Sequence, residues 1–163
     1  MRQRTAGLTV GAILGSVLGF GLGLGTYPEL FPALVAGPAA PTATGPVVAE
    51  GTFVHLDPRD PIHYGAGTVA VAPGLVQLGT DFEVGPGPGY HLYLVPLADI
   101  GPEVRADETQ FIDLGALRGF AGAQDYGLPT GIDLANYPSV VVWSTHFNEP
   151  ITAAALHRVP TAP

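Results

Sequence analysis

The sequence predicts an all-β domain, an antiparallel β-sandwich, preceded by one N-terminal transmembrane helix and a Pro/Ala-rich linker. Three observations carry this expectation. Glycine (23) and proline (17) are abundant in a chain of 163 residues, and each interrupts regular backbone in its own way, favouring short strands over long helices. From Gly51 onward, short runs of β-branched and aromatic residues alternate with Gly, Pro and Asp clusters. Before the domain, one stretch from Gly7 to Tyr27 carries no charged residue.

A helix over residues 7–27 would reach about 30 Å, the thickness of the hydrocarbon core, so its expected partner is the lipid bilayer. Arg2 and Arg4 precede it and Pro28-Glu29 follow. The positive-inside bias then places residues 1–6 in the cytoplasm and the domain across the cell membrane, in the periplasm where the host has an outer membrane. A cleaved signal peptide is the competing reading. Against it, the apolar stretch exceeds the roughly 7–15 residues of a signal core. The small residues near Ala36, Gly37 and Ala40 also run into Pro38 or Pro41. Gly7, Gly11, Gly15, Gly19 and Gly23 recur every fourth residue, a face through which two copies of the helix can pack as a homodimer. Residues 28–49, with prolines at 28, 32, 38, 41 and 46, form a semi-rigid linker. The domain occupies residues 50–163.

Within it, strands are expected near 51–56, 64–72, 74–79, 90–95, 110–114, 122–127, 138–147 and 151–158. Pro73-Gly74 supplies the turn of a hairpin between the second and third. Val140 to Trp143 are apolar at both parities, the pattern of a central strand covered on both faces. Residues 99–108 and 115–120 could each form a turn of helix, without sustained helical periodicity. The Gly85-Pro-Gly-Pro-Gly89 run reads as a turn into the next strand, because each proline removes a backbone donor that an anion cradle would need.

Composition narrows the chemistry. Setting aside Arg2, Arg4 and Glu29, four arginines face thirteen carboxylates, a poor surface for a phosphate backbone, so nucleic acid is not an expected partner. There is no cysteine, and the one methionine is Met1. Thiol catalysis, iron–sulfur clusters and blue-copper ligation are therefore excluded, and a metal would have to rely on His, Tyr or carboxylate.

The order of motifs carries a resemblance. Gly51-Thr-Phe53, His63 before Gly65-Ala-Gly67, Leu75-Val-Gln-Leu78, Asp81-Phe82 and Gly87-Pro-Gly-Tyr-His91-Leu-Tyr-Leu94 resemble the first half of the DM-thirteen domain, a family of electron-transfer domains. Ile112-Asp-Leu-Gly115, Leu117-Arg-Gly119, Gly122-Ala-Gln124-Asp-Tyr126, Tyr137, Val140-Val-Val-Trp143, Phe147 and Ala154-Ala-Leu156 follow its second half, so the resemblance spans about residues 50–158. It implies an extracytoplasmic β-sandwich working in redox pathways through a cysteine that directly follows the strand tryptophan. Here that position is Ser144, and Gly89 stands where the family usually has an acidic residue. The motif positions His63, His91, Trp143 and Ser144 are the cofactor-binding candidates that the resemblance implies, with the cofactor itself unspecified.

Other candidates come from the residues alone. His55 and His63 flank the loop 56–62 with Asp57 and Asp60, a candidate metal or haem site that His91 would join from a neighbouring strand. On an extended strand Ser144 and His146 share a face. Hydrolysis would also need an orienting acid and oxyanion donors, which the sequence does not display, so an enzyme is not the expectation. Trp143 and Tyr126 are expected in the core. The two functional classes left open are a redox-pathway accessory and a ligand- or protein-binding module.

Overall fold

The computed structural model describes residues 15–16, 18–19, 45–105 and 109–160, in a chain that divides into the units Met1–Gly37 and Pro38–Pro163. In the first unit Gly15, Ser16, Leu18 and Gly19 are helical and exposed, and a Cβ at either glycine would meet nothing within 4 Å. Among the described residues no helix is long and apolar enough to cross a membrane. The rest of the expected span, including Gly7, Gly11 and Gly23, and the linker up to residue 44 lie outside the described residues.

The second unit is all-β. Its strands are β1 (Ala49–His55), β2 (Gly65–Ala66), β3 (Thr68–Ala72), β4 (Leu75–Leu78), β5 (Glu83–Val84), β6 (Tyr90–Val95), β7 (Ile112–Ala116), β8 (Gln124–Gly127), β9 (Ser139–Ser144), β10 (Glu149–Ala155) and β11 (His157–Arg158). All pairings are antiparallel, in the order β7-β6-β9-β10-β1-β3-β4-β8, with β11 also on β1 and a separate β2-β5 pair. The two layers belong to one hydrogen-bonded sheet because β1 serves both: residues 49–52 pair with β3 and residues 53–55 with β10. The sheet curls until its edges β7 and β8 approach, so the architecture is close to a barrel.

The core follows strand parity. Phe53, Val71, Val76, Leu92, Leu94, Val140, Val142 and Ile151 fill the interior. A second cluster, Tyr93, Val95, Ile100, Val141, Trp143 and Ala153, lies on the other face of β6, β9 and β10, with Leu56 and Val104 packed against it. Strand β9 is buried at all six positions, as its apolar run predicts. Between the edges, the Arg118 backbone N–H donates to Gln124 Oε1 (2.9 Å) and to the Tyr126 hydroxyl (3.2 Å). Tyr126 donates to Gln124 Oε1, Gln124 Nε2 donates to the Gly119 carbonyl, and the Arg118 guanidinium lies 5.2 Å from the Tyr126 ring centre. Tyr126 thus belongs to the core while its hydroxyl completes this polar bridge.

Several expectations change. The strand expected over 138–147 stops at Ser144, because residues 145–148 turn with Asn148 at φ 56° and its N–H on the Ser144 carbonyl. His146 therefore lies on an exposed turn and does not share a strand face with Ser144. The strand expected over 64–72 breaks at Gly67 (φ 104°), and that over 151–158 breaks at Leu156, whose N–H turns to the Pro138 carbonyl. Gly115 and Ala116 belong to β7, and no helix forms among the described residues of 99–108. Strand β5 and the 3-10 turn Leu134–Asn136, capped by Asp133, are not among the expected elements. Pro73-Gly74 makes its hairpin, with Gly74 at φ 82°, the left-handed position of a type II turn.

Gly67 is fixed twice over: beyond its positive φ, a Cβ would stand 2.4 Å from the Phe82 Cα. Gly131 shares the positive φ (82°) but has open space around it. Urea denaturation is expected to show Gly67→Ala costing about 2 kcal/mol or more, and Gly131→Ala only about 1.

Candidate functional site: the two faces of strand β9

Consecutive residues of a strand point to opposite faces, so Trp143 and Ser144 open onto different surroundings although one peptide bond joins them. Ser144 faces inward, opposite Tyr90 on β6, and is fully buried. Its Oγ donates to the Pro88 carbonyl at 3.1 Å and accepts the Phe147 N–H at 3.2 Å. Next to it, the Thr145 N–H and Oγ1 both donate to the Gly89 carbonyl at 2.9 Å. These bonds tie the 85–89 loop to the end of β9. That segment is the turn into β6 that its prolines predict, with Gly89 at φ 63°.

Under this loop the Tyr90 hydroxyl is buried without a hydrogen-bond partner. A Cβ at Gly87 would stand 2.1 Å from it, so only glycine lets the loop cover the ring. Burial pushes the phenol up to about 12, with the nearby negative charges of Glu149 and Asp60 adding to the shift.

The loop histidines converge on Asp60. His63 donates from Nδ1 to Asp60 Oδ2 at 2.7 Å, and His55 donates from Nε2 to the Asp60 carbonyl at 2.9 Å. The Ile62 N–H, then the His63 ring and the His63 N–H, hold the Asp60 carboxyl down at about 2. The His63 ring also meets Phe147 edge-on at 6.1 Å. His91 lies elsewhere: it shares the Trp143 face of the sheet and donates from Nδ1 to Asp113 on β7, at 3.0 and 3.1 Å from the two carboxylate oxygens. The structure thus joins His55 and His63 through one aspartate and leaves His91 with another. No group of three His, Cys, Asp or Glu side chains suited to a metal occurs among the described residues.

On the outer face of β9, Trp143 is 1% exposed, and its Nε1 has no hydrogen-bond partner. Tyr93 stacks beside it, with centroids 6.1 Å apart and planes 19° apart. Phe111 in turn stacks on Tyr93 at 4.3 Å and 11°, with 39% of its surface exposed. The His91 ring meets Tyr93 edge-on at 6.2 Å. A broad groove of about 1130 Å³ over β1, β3 and β4, lined by Thr52, Val54, Ala70, Gln77 and Arg158 among others, contains none of the site candidates His55, His63, His91, Trp143 and Ser144.

Sequence reasoning does not name Tyr90, Tyr93 or Phe111 as site candidates, although both tyrosines lie in the 87–94 motif. The alternation in Tyr90-His-Leu-Tyr93 separates the two tyrosines onto opposite faces. Only the β6–β9 register reveals that Tyr90 opposes Ser144.

Replacing Ser144 with Ala leaves the Pro88 carbonyl and the Phe147 N–H without this partner and is expected to cost about 1–3 kcal/mol in urea unfolding. With Ser144→Cys the thiol would be buried, so an aromatic disulfide reagent should label it slowly in the folded protein and rapidly in urea. Asp60 gives a pH signature. Its folded value lies below the ordinary 3.8, so its stabilisation is complete above pH ~4 and is lost as pH falls through about 2. The urea midpoint of the wild type should therefore drop toward that of Asp60→Asn over this window.

The family model described as Electron transfer DM13 matches residues 59–156, which run from the loop before β2 to the kink after β10. Neither the curated proteins nor the solved structures contain a match to the chain. A match over more than half of the chain, on a sheet that places Trp143 and Ser144 at its centre, makes this protein a member of the DM13 electron-transfer family.

Proposed function

We propose that this chain is a membrane-anchored, extracytoplasmic DM13 protein that serves as an accessory of an electron-transfer pathway. The observation that carries the redox part is the family match over residues 59–156. The anchor rests on the uncharged stretch from Gly7 to Tyr27 behind Arg2 and Arg4, which orients the domain outward. The glycines at 7, 11, 15, 19 and 23 add a face for pairing two copies within the bilayer. His63, His91, Trp143 and Ser144 remain the positions proposed to meet a cofactor.

One observation favours a second reading, a non-redox ligand- or protein-binding module. The family thiol, as the resemblance places it, is Ser144 here, and its two hydrogen bonds are structural: one holds the 85–89 loop at the Pro88 carbonyl and the other holds the turn after β9 at the Phe147 N–H. In that reading the fold is kept as a scaffold and the redox chemistry is gone.

Two measurements test the proposal. In membranes of the native host, the chain should resist alkaline carbonate extraction and be digested by protease added to the outer side; release by carbonate would remove the anchor. Membranes lacking the chain should show slower electron transfer from donor substrates to terminal acceptors. Unchanged rates would leave the binding module as the reading to keep.

A further inference from the structure

Trp143 is a costly choice for a purely structural position. A buried indole N–H without a partner forfeits about 1–3 kcal/mol of hydration, whereas Phe or Leu would fill apolar space without that penalty. Such an orphaned group in a native core calls for a functional explanation, redox chemistry among them. The domain has no cysteine or methionine, which leaves tryptophan and tyrosine as its most readily oxidised side chains. Trp143 is the chain's only tryptophan. It stands at the buried end of a column of rings: Trp143 beside Tyr93 at 6.1 Å, and Tyr93 beneath Phe111 at 4.3 Å, with Phe111 open to solvent. The two buried unpartnered side-chain atoms among the described residues are the Tyr90 hydroxyl and the Trp143 Nε1, so the Tyr93 hydroxyl is not sealed off in the same way.

We propose that Trp143 and Tyr93 form a one-electron relay between the core of the domain and the surface at Phe111. The proposal rests on the redox reading above and gives it a route that does not pass through residue 144. A one-electron acceptor withdraws an electron from Trp143 and leaves an indole radical cation. That cation keeps its proton, because Nε1 has no acceptor. Tyr93 gives it an electron and releases the phenolic proton to water, which restores Trp143 and leaves a neutral phenoxyl radical. A reduced one-electron carrier at the Phe111 face returns the electron, and a proton from water completes Tyr93. One electron has then crossed from carrier to acceptor with no net change in the protein. Burial, and after it the charge of Asp113, raises the Tyr93 phenol above its ordinary range, so the hydroxyl stays protonated until the electron leaves.

The test is flash photolysis of the full-length chain in detergent. An ultraviolet pulse ionises Trp143, a dissolved scavenger takes the ejected electron, and transient absorption separates indole from phenoxyl radicals. The relay predicts that the indole signal decays as the phenoxyl signal rises, with one shared rate. Tyr93→Phe deletes a hydroxyl that makes no hydrogen bond among the described residues, and should abolish the rise and lengthen the indole lifetime by about tenfold or more. Tyr137→Phe, whose ring packs against the interior cluster and not in the Trp143 column, should change neither. A phenoxyl signal that survives in Tyr93→Phe overturns the assignment. So does an indole radical in the wild type that decays with no phenoxyl rise, a readout that needs no variant to fold. Failure of the pathway reading is distinguishable: membranes lacking the chain would then transfer electrons normally while the isolated protein still showed the shared rate.

Discussion

Burial of strand β9 on both faces is the constraint on which the rest of the domain depends. A strand with six consecutive buried residues must separate two apolar regions, and here it separates the interior from the Trp143 cluster. Its neighbours β6 and β10 are pinned by the same requirement, since each must present apolar side chains to both sides. The result places chemically different residues back to back. Trp143 contributes to an aromatic layer, while Ser144 contributes hydrogen bonds to the rim of the barrel-like end.

Polar groups complete what burial begins. At one end Asp60 gathers His55, His63 and the N–H groups of its own loop. At the sheet edges, Gln124 and Tyr126 close the gap that pairing leaves open. Asp81 accepts from the Thr68 N–H and hydroxyl beside the Gly67 break. Each cluster satisfies backbone donors where the ladder is interrupted, which is why the irregular strands β2 and β5 can exist at two residues each. Against this well-paired background, the unpartnered Trp143 Nε1 and Tyr90 hydroxyl stand out.

The parts of this fold that were legible in the sequence are those set by local pattern. The bounds of β6, the Pro73-Gly74 hairpin and the double-sided burial of Val140 to Trp143 all follow from alternation and turn chemistry. What was not legible depends on distant partners. The end of β9 at Ser144 is decided by a turn whose Asn148 adopts positive φ, and by a serine hydroxyl satisfied 56 residues away in sequence at Pro88. The merging of two expected sheets into one comes from β1 changing partners midway, which no periodicity records. The same holds at the site: His63 was visible beside Asp60, but Phe111 joins Tyr93 only through the β6–β7 pairing and the bulge after Leu92.

The place where the chain enters the sheet has a mechanical consequence. Val48 already donates to the Val71 carbonyl and accepts from the Val159 N–H, so the backbone is gripped on both sides before β1 begins. Strand β1 then runs between β3 and the β10–β11 pair and is not an edge of the sheet. A pull from the N-terminal side therefore loads two antiparallel ladders in shear, and many hydrogen bonds must fail together. An edge strand attached at the same point would peel one bond at a time, so this domain is wired to bear tension through its centre.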